Sequence, residues 1–402
     1  MDKMILLYKQ RHSFPAEILR LISPSKPCLI INDEIRRPSM SYLIPILKML
    51  EPFQHMWPDL NLSERPDLQG TAKGLWIEPG TLVELVNGWV IAEWAIALTY
   101  RLRPQLRAKS GPGAKRTYTD ATVLLTVIVM RVWRKGYESF TGWLERHPDL
   151  AHTLGYHEDD QTGQLKVISS SHLSRRARQL GFWPFLFFFM ALVWQLIALG
   201  AISGRDLIID SSILKAWYHA DTDARWSYPT RWRGSIFGYK IHTVVCRHLV
   251  LPVFFWITPA NAADCVWAVP LLAVVILLYG FNIVIVRADA AYFSKQILAF
   301  IYFIVGADPF VDYNVRRKNK QLVTLDFIFE WEGLMAPRSD IERHYAWSKR
   351  YFGLKYFQIE SWLNVMTYAC CTYIAILAVA IIAYRCQRPE LARSRTKVLA
   401  WA

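Results

Sequence analysis

The sequence has 402 residues, of which 53% are apolar, 14% aromatic and only 20% charged, with 47 Lys and Arg against 33 acids and a formal net charge of +14. That length fills one large domain or two to three ordinary ones, and the composition excludes a disordered chain or a small peptide-like scaffold. So large a positive excess favours a polyanionic partner or an anionic membrane surface, with nucleic acid the first of these.

Residues 1–110 carry proline-punctuated apolar runs and no assignable motif, and form an N-terminal region of unknown role. The first apolar stretch, 4–8, is too short for the core of a signal peptide, which predicts a chain that is not exported. Two glycines and a proline among bases at 109–116 predict a linker and a domain boundary. Beyond it, 111–200 reads as a helical region. Thr119-Asp120 offers a cap before the apolar run 121–133, a short helix begins near Ser139, and 169–178 forms a capped helix crowded with Arg175, Arg176 and Arg178. A helix-turn-helix-like DNA reader can be built this way, with Arg175 and Arg176 touching DNA; an amphipathic helix with solvated arginines fits equally well.

Three uncharged stretches, 182–202, 266–286 and 365–384, approach the roughly 20 residues that cross a bilayer. The loops between them carry seven Lys or Arg (203–265) and eleven (287–364), without the asymmetry that three spans require. The middle stretch breaks at Gly280-Phe281-Asn282 and resumes as a β-branched run, as a helix followed by a buried strand would. A polytopic membrane protein stands as the alternative class, and the expectation is no membrane. Cys28, Cys246, Cys265, Cys370, Cys371 and Cys386 show no metal-binding spacing and read as buried small hydrophobes in a reducing compartment.

From 201 to 384 the pattern becomes strands followed by strand-helix alternation. Strands are expected at 206–210, 237–246 and 251–257 in a meander, then helix 270–278, strand 283–286, helix 295–305 and strand 309–315. This order predicts a mixed α/β sheet flanked by helices. Two strands end on or just before an acid, Asp210 and Asp289, where ligands of α/β sheets bind. A third acid, Glu342, falls on a helix capped by Ser339 or Asp340 that also carries Tyr345 and Lys349. Three gathered carboxylates suit a pair of hard divalent ions acting on a phosphodiester. Singly, each acid reads as well as a turn cap or a surface ion pair.

The joint pattern resembles the catalytic domain of DDE-type insertion-sequence transposases, relatives of retroviral integrases, across about 200–384. The features in register are Ile209-Asp210-Ser211-Ser212, Gly238-Tyr239-Lys240-Ile241-His242, Thr258-Pro259-Ala260-Asn261-Ala262-Ala263-Asp264 and Ala288-Asp289-Ala290-Ala291-Tyr292. Arg338, Glu342 and Lys349 hold the spacing of the Y-x2-R-x3-E-x6-K group, with Met335 where that group has tyrosine. The resemblance implies an RNase H-like five-stranded mixed sheet after a mainly helical N-terminal DNA-binding region. It implies a metal-dependent endonuclease and strand transferase, with Asp210, Asp289 and Glu342 as catalytic residues and ligands of two Mg2+ or Mn2+ ions. The DNA partners would be terminal inverted repeats and target DNA, held by a homodimer in the synaptic complex of a prokaryotic, cytoplasmic, nucleoid-associated enzyme. Arg338 and Lys349 would contact phosphates near the scissile bond, and Lys240 and His242 would orient DNA or a ligand, although His242 reads equally as a core histidine. A catalytically silent DNA-binding relative is the other alternative.

The acids lie 79 and 53 residues apart, which leaves no room for a large insertion before the glutamate. Arg316, Arg317 and Lys318 open the sizeable connection 316–337 and suit contact with a DNA backbone. The segment 385–402 is a basic tail, read either as adding nonspecific DNA affinity or as merely solvated.

Overall fold

Helices come first in the computed structural model, which describes residues 57–71, 73–104, 117–159, 162–230, 234–312, 335–355 and 358–400. The expected linker at 109–116 and the basic stretch Arg316, Arg317 and Lys318 lie outside these residues. Helices α1 (Pro79–Leu85) and α2 (Gly88–Leu102) meet at Asn87, whose φ is 54°. Asparagine tolerates that left-handed position because its amide bonds locally. Here its Nδ2 donates to the Asn61 carbonyl at 3.0 Å and to Gln195 Oε1 at 3.2 Å, and the buried Gln195 donates in turn to the Val86 carbonyl at 2.9 Å.

Next come α3 (Asp120–Val132), α4 (Tyr137–Glu145), α5 (Pro148–Thr153), α6 (Ser170–Leu180) and α7 (Trp183–Ala198). The expected cap of α3 is present, with Thr119 Oγ1 accepting from the Thr122 amide at 3.0 Å. On α6 the two candidate DNA contacts separate. Arg175 is exposed, whereas Arg176 is buried and ion-paired with Asp120, the first residue of α3. Arg176 therefore ties α6 to α3 and is not turned out towards DNA, which corrects its reading as a DNA contact; with 3.6 residues per turn adjacent side chains point 100° apart, so one arginine faces inward and its neighbour outward.

The sheet is built from β1 (Asp206–Lys215), β2 (Arg225–Thr230), β3 (Gly234–Cys246), β4 (Leu251–Pro259), β5 (Ile285–Ala288) and β6 (Asp308–Val311). Its order is β2-β3-β1-β5-β6, with β4 also paired to β3. β1, β3 and β4 form the expected antiparallel meander, while β5 and β6 run parallel to β1. Six strands replace the five expected, since β2 pairs with the first part of β3. One glycine of the Gly238-Tyr239-Lys240 motif has a steric cause: a Cβ on Gly238 would stand 2.1 Å from the Leu214 carbonyl oxygen, so only glycine lets β1 and β3 close there.

Helix α8 (Asp264–Tyr279) starts six residues before the expected 270–278, and α9 (Lys295–Ala299) continues as a π-helical turn at Phe300–Val305. Helix α10 (Asp340–Tyr351) follows a short turn at Ala336–Ser339. Then α11 (Trp362–Arg385) runs through the centre, against α3, α7 and β4. It is long and apolar enough to cross a bilayer, as are the bent pairs α1–α2 and α6–α7, but 89% of its most apolar stretch is buried inside the protein. A helix apolar on every side belongs in a membrane or in the core of a large domain, and here other elements cover it.

The basic tail is folded onto the helical region through α12 (Arg395–Val398). The Leu75 amide donates to the Lys397 carbonyl at 2.6 Å and the Ala400 amide to the Ile77 carbonyl at 2.9 Å. Arg385 Nη1 donates to the Leu85 carbonyl at 2.6 Å, and Arg395 Nη2 to the Val132 carbonyl at 3.0 Å. These arginines satisfy carbonyls within the fold, which corrects the solvated reading of the tail for residues 385–400.

Candidate active site

Strand register sets the first two acids. Ile209 on β1 pairs with Ala288 on β5, and the next residue on each chain is Asp210 and Asp289. Parallel neighbours lie about 4.8 Å apart and point to the same face, so the two carboxylates stand side by side at the end of β5. Asp210 Oδ1 accepts from the Ser211 amide at 2.7 Å. Burial pushes the Asp210 carboxyl up to about 7, with Asp289 and Asp264 adding to the rise and the Ser211 amide and Arg338 opposing it.

Helix α10 lies along β1 and fixes the third side. Tyr345 donates its hydroxyl to the Asp210 carbonyl at 2.8 Å, and Lys349 Nζ donates to Ser212 Oγ at 2.7 Å. At 100° per residue, Glu342, Tyr345 and Lys349 fall within an arc of about 60°, so Glu342 belongs to the stripe that faces β1. Its carboxylate is 63% exposed and bound to Arg338 at 3.0 Å. Met335, at the position of the missing tyrosine, is buried at the start of the turn that leads to Arg338.

The structure thus brings Asp210 and Asp289 together and sets Glu342 one helical turn from Tyr345, held by Arg338. Among the described residues no three His, Cys, Asp or Glu side chains are already close enough to hold a metal. The donor set nevertheless fits a hard divalent cation. Two adjacent carboxylates share the site, and one of them is desolvated enough to lose its usual acidity. Nearby, the buried Tyr292 hydroxyl has no hydrogen-bond partner of good geometry.

Lys240 and His242 are not at the surface. Lys240 Nζ donates to the Ala262 carbonyl at 2.8 Å and lies 3.1 Å from Asp264 Oδ1. His242 is fully buried, bonded through Nε2 to Thr258 Oγ1 at 2.9 Å and stacked on Trp267. Burial drives its imidazole down to about 4, against the pull of Asp264. His242 thus takes its alternative reading as a core histidine, and Lys240 is held from behind by Ala262 and Asp264, so neither is placed to touch DNA directly in this arrangement. Sequence reasoning overlooked Asp264 and Tyr292 as neighbours of Asp210. Both sit inside recognised motifs, Asp264 closing the turn after β4 and Tyr292 ending the segment after β5, so the signal was present but its meaning depended on packing.

Residues 203–378 match a protein family described as the Transposase DDE domain. This segment contains all three acids, the whole sheet and α10. No curated protein matches the chain. Among solved structures the chain is similar to a piggyBac transposase synaptic complex with hairpin DNA, solved by cryo-EM, at 9% identity and a TM-score of 0.42, over 83% of this chain and 81% of that one.

Proposed function

We propose that this chain is the DNA transposase of an insertion sequence, which cleaves DNA at the ends of its element and joins the freed 3′-hydroxyls to target DNA. The carrying observation is the register of β1 on the parallel strand β5, with Ile209 opposite Ala288, which brings Asp210 beside Asp289 just past the end of β5, inside a segment that matches a transposase DDE domain. Three antiparallel strands followed by two parallel ones, with helices on the faces, support an RNase H-like reading of the sheet.

In this reading Asp210 and Asp289 would hold divalent cations, with Glu342 as the third carboxylate once it is free of Arg338. Such ions, when bound, activate the attacking oxygen and neutralise the leaving one in an in-line displacement at phosphorus. The chain itself does the positioning. Arg338, released from Glu342, has a planar fork suited to two oxygens of a phosphate, and Lys349 supplies a point charge one end of the stripe away. Tyr345 fixes the backbone of Asp210, and the Lys240–Asp264 pair with His242 keeps the floor rigid beneath it. One site serves both water attack and strand joining, since the two steps share their chemistry. Arg175, and Arg316, Arg317 and Lys318, remain the DNA contacts of this reading outside the site.

A catalytically silent DNA-binding relative is the second reading, favoured by the Glu342–Arg338 ion pair. Purified protein with Mg2+ and DNA carrying the repeats that flank its coding region separates the two. Nicks with 3′-hydroxyl ends at the repeat boundaries support the enzyme. Asp210→Asn or Asp289→Asn removes several kcal/mol of charge stabilisation and slows nicking by at least about a thousandfold, with DNA binding retained. Nicking that survives in both variants overturns the assignment of the site.

A further inference from the structure

A cavity of about 730 Å³ opens between α3, α10 and α11, at the C-terminal end of α10, beyond Glu342 along the helix. Five cations line it, Arg131, Arg134, Lys349, Arg350 and Lys355, and none of its described lining residues is acidic. Like charges gathered around a concave space repel one another, and a site of that kind concentrates anions. Two of the cations are held in place. The Arg131 guanidinium lies 4.9 Å over the ring of Tyr368 and 5.7 Å over that of Tyr137, and Lys349 is fixed by Ser212 Oγ at 2.7 Å. The back of the cavity is tight: Tyr368 donates to the Gly353 carbonyl at 3.0 Å, and a Cβ on Gly353, where φ is 82°, would meet the Tyr368 hydroxyl at 3.0 Å and Arg134 Nε at 3.7 Å. Burial and the neighbouring Lys355 hold the Lys349 ammonium below its usual range, as expected where a cation waits for a counter-charge.

Lys349 belongs both to this cavity and to the stripe of α10 that faces β1. From Glu342 to Lys349 the helix advances about 10 Å, roughly three base steps of a duplex at 3.4 Å each. We propose that this cavity is a second phosphodiester site, which seats backbone phosphates of the DNA strand about three nucleotides from the phosphate beside Glu342. The inference rests on the transposase reading for the origin of the strand, and on the cavity alone for its chemistry. It makes helix α3, from the helical region, a direct part of strand guidance, with Arg131 and Arg134 as its contacts.

The test measures binding of the full chain to a 30-base-pair duplex by fluorescence anisotropy across a salt series in EDTA, where no cleavage is needed. The variants are Arg134→Gln with Lys355→Gln, both exposed positions, and Ala346→Glu, which places a carboxylate on the exposed rim without removing any contact. Each phosphate contact contributes about 0.9 to the slope of log K against log salt, so the double variant should flatten the slope by about 1.8. Ala346→Glu should weaken binding as well, while Lys166→Gln, which removes an exposed charge paired with Asp159, should leave the slope within about 0.9 of wild type. Wild-type slopes in both cavity variants overturn the proposal. A parallel thermal-shift series with pyrophosphate separates a free anion from a strand: stabilisation lost in the variants with unchanged DNA slopes identifies a small-anion site and likewise overturns it. Altered slopes in a protein that never nicks DNA would leave the cavity standing and remove the enzymatic reading, so the two failures are distinguishable.

Discussion

The helical region and the surface along α10 use positive charge in different ways. In the first, guanidinium groups are turned inward: Arg176 on Asp120, Arg385 on the carbonyls of Leu85 and Ser63, Arg395 on that of Val132. Along α10 the cations converge on concave or acidic ground, with Arg338 beside Glu342 and Asp210, and Lys349 at the mouth of a cavity without acids. A net charge of +14 is therefore not a uniform coat for a polyanion. Part of it holds the fold together, and another part flanks Glu342 and lines the cavity along α10.

The sharpest way to break this distinction is Arg176→Ala. Removing the cation of a buried ion pair leaves the Asp120 carboxylate without its counter-charge, with the Tyr100 hydroxyl still bonded to it, and costs about 3–5 kcal/mol, so urea denaturation should show a large loss of stability. The salt slope of DNA binding by the folded fraction should stay unchanged; a flattened slope would make Arg176 a DNA contact after all. Acid gives a smaller effect through His344, buried on α10 with its Nδ1 bonded to the Val250 carbonyl at 3.0 Å. Burial lowers its imidazole to about 3, so below about 6.5 the unfolded chain takes a proton that the fold refuses. Stability is full above that pH and falls by about 1.4 kcal/mol per unit as pH drops towards 3. Denaturation midpoints at pH 7.5 and 5.5 read this, and His344→Gln should flatten the dependence. The smallest expected change belongs to Arg175→Ala at an exposed position, within about 0.5 kcal/mol in stability. Should it flatten the salt slope by about 0.9, α6 reads DNA through that one arginine; an unaltered slope leaves α6 a purely structural helix.

Much of the catalytic half was legible because it is written in local patterns. The β-branched runs gave β1 and β5, and an acid after each run gave Asp210, within the longer β1, and Asp289, just past β5, since register between adjacent strands turns sequence position into proximity. Helical spacing likewise placed Glu342 on the same stripe as Tyr345 and Lys349. What escaped depends on partners distant in the chain. Strand β2 contains Arg225, Pro229 and little apolar alternation, and it exists because β3 offers an edge to pair with. Composition cannot tell a solvated arginine from one that reaches a carbonyl 300 residues away, as Arg385 does at Leu85. The same holds for Lys240 and His242, whose polarity suggested a ligand and whose environment is the interior.

Helix α11 has a consequence for how the chain is made. It is covered by α3, α7 and β4, all of which precede it in sequence, so these elements leave the ribosome before the piece that fills the space between them. Burying a single Leu or Ile is worth about 1.5–3 kcal/mol. Ile374, Ile376, Leu377, Ile381 and Ile382, all at 0% exposure, together match the usual 5–15 kcal/mol of net stability. A nascent polypeptide halted before α11 would present bare apolar walls with nothing to close them, a form suited to chaperone capture or degradation. A copy cut short before α11 therefore lacks the segment on which the burial of three earlier elements depends.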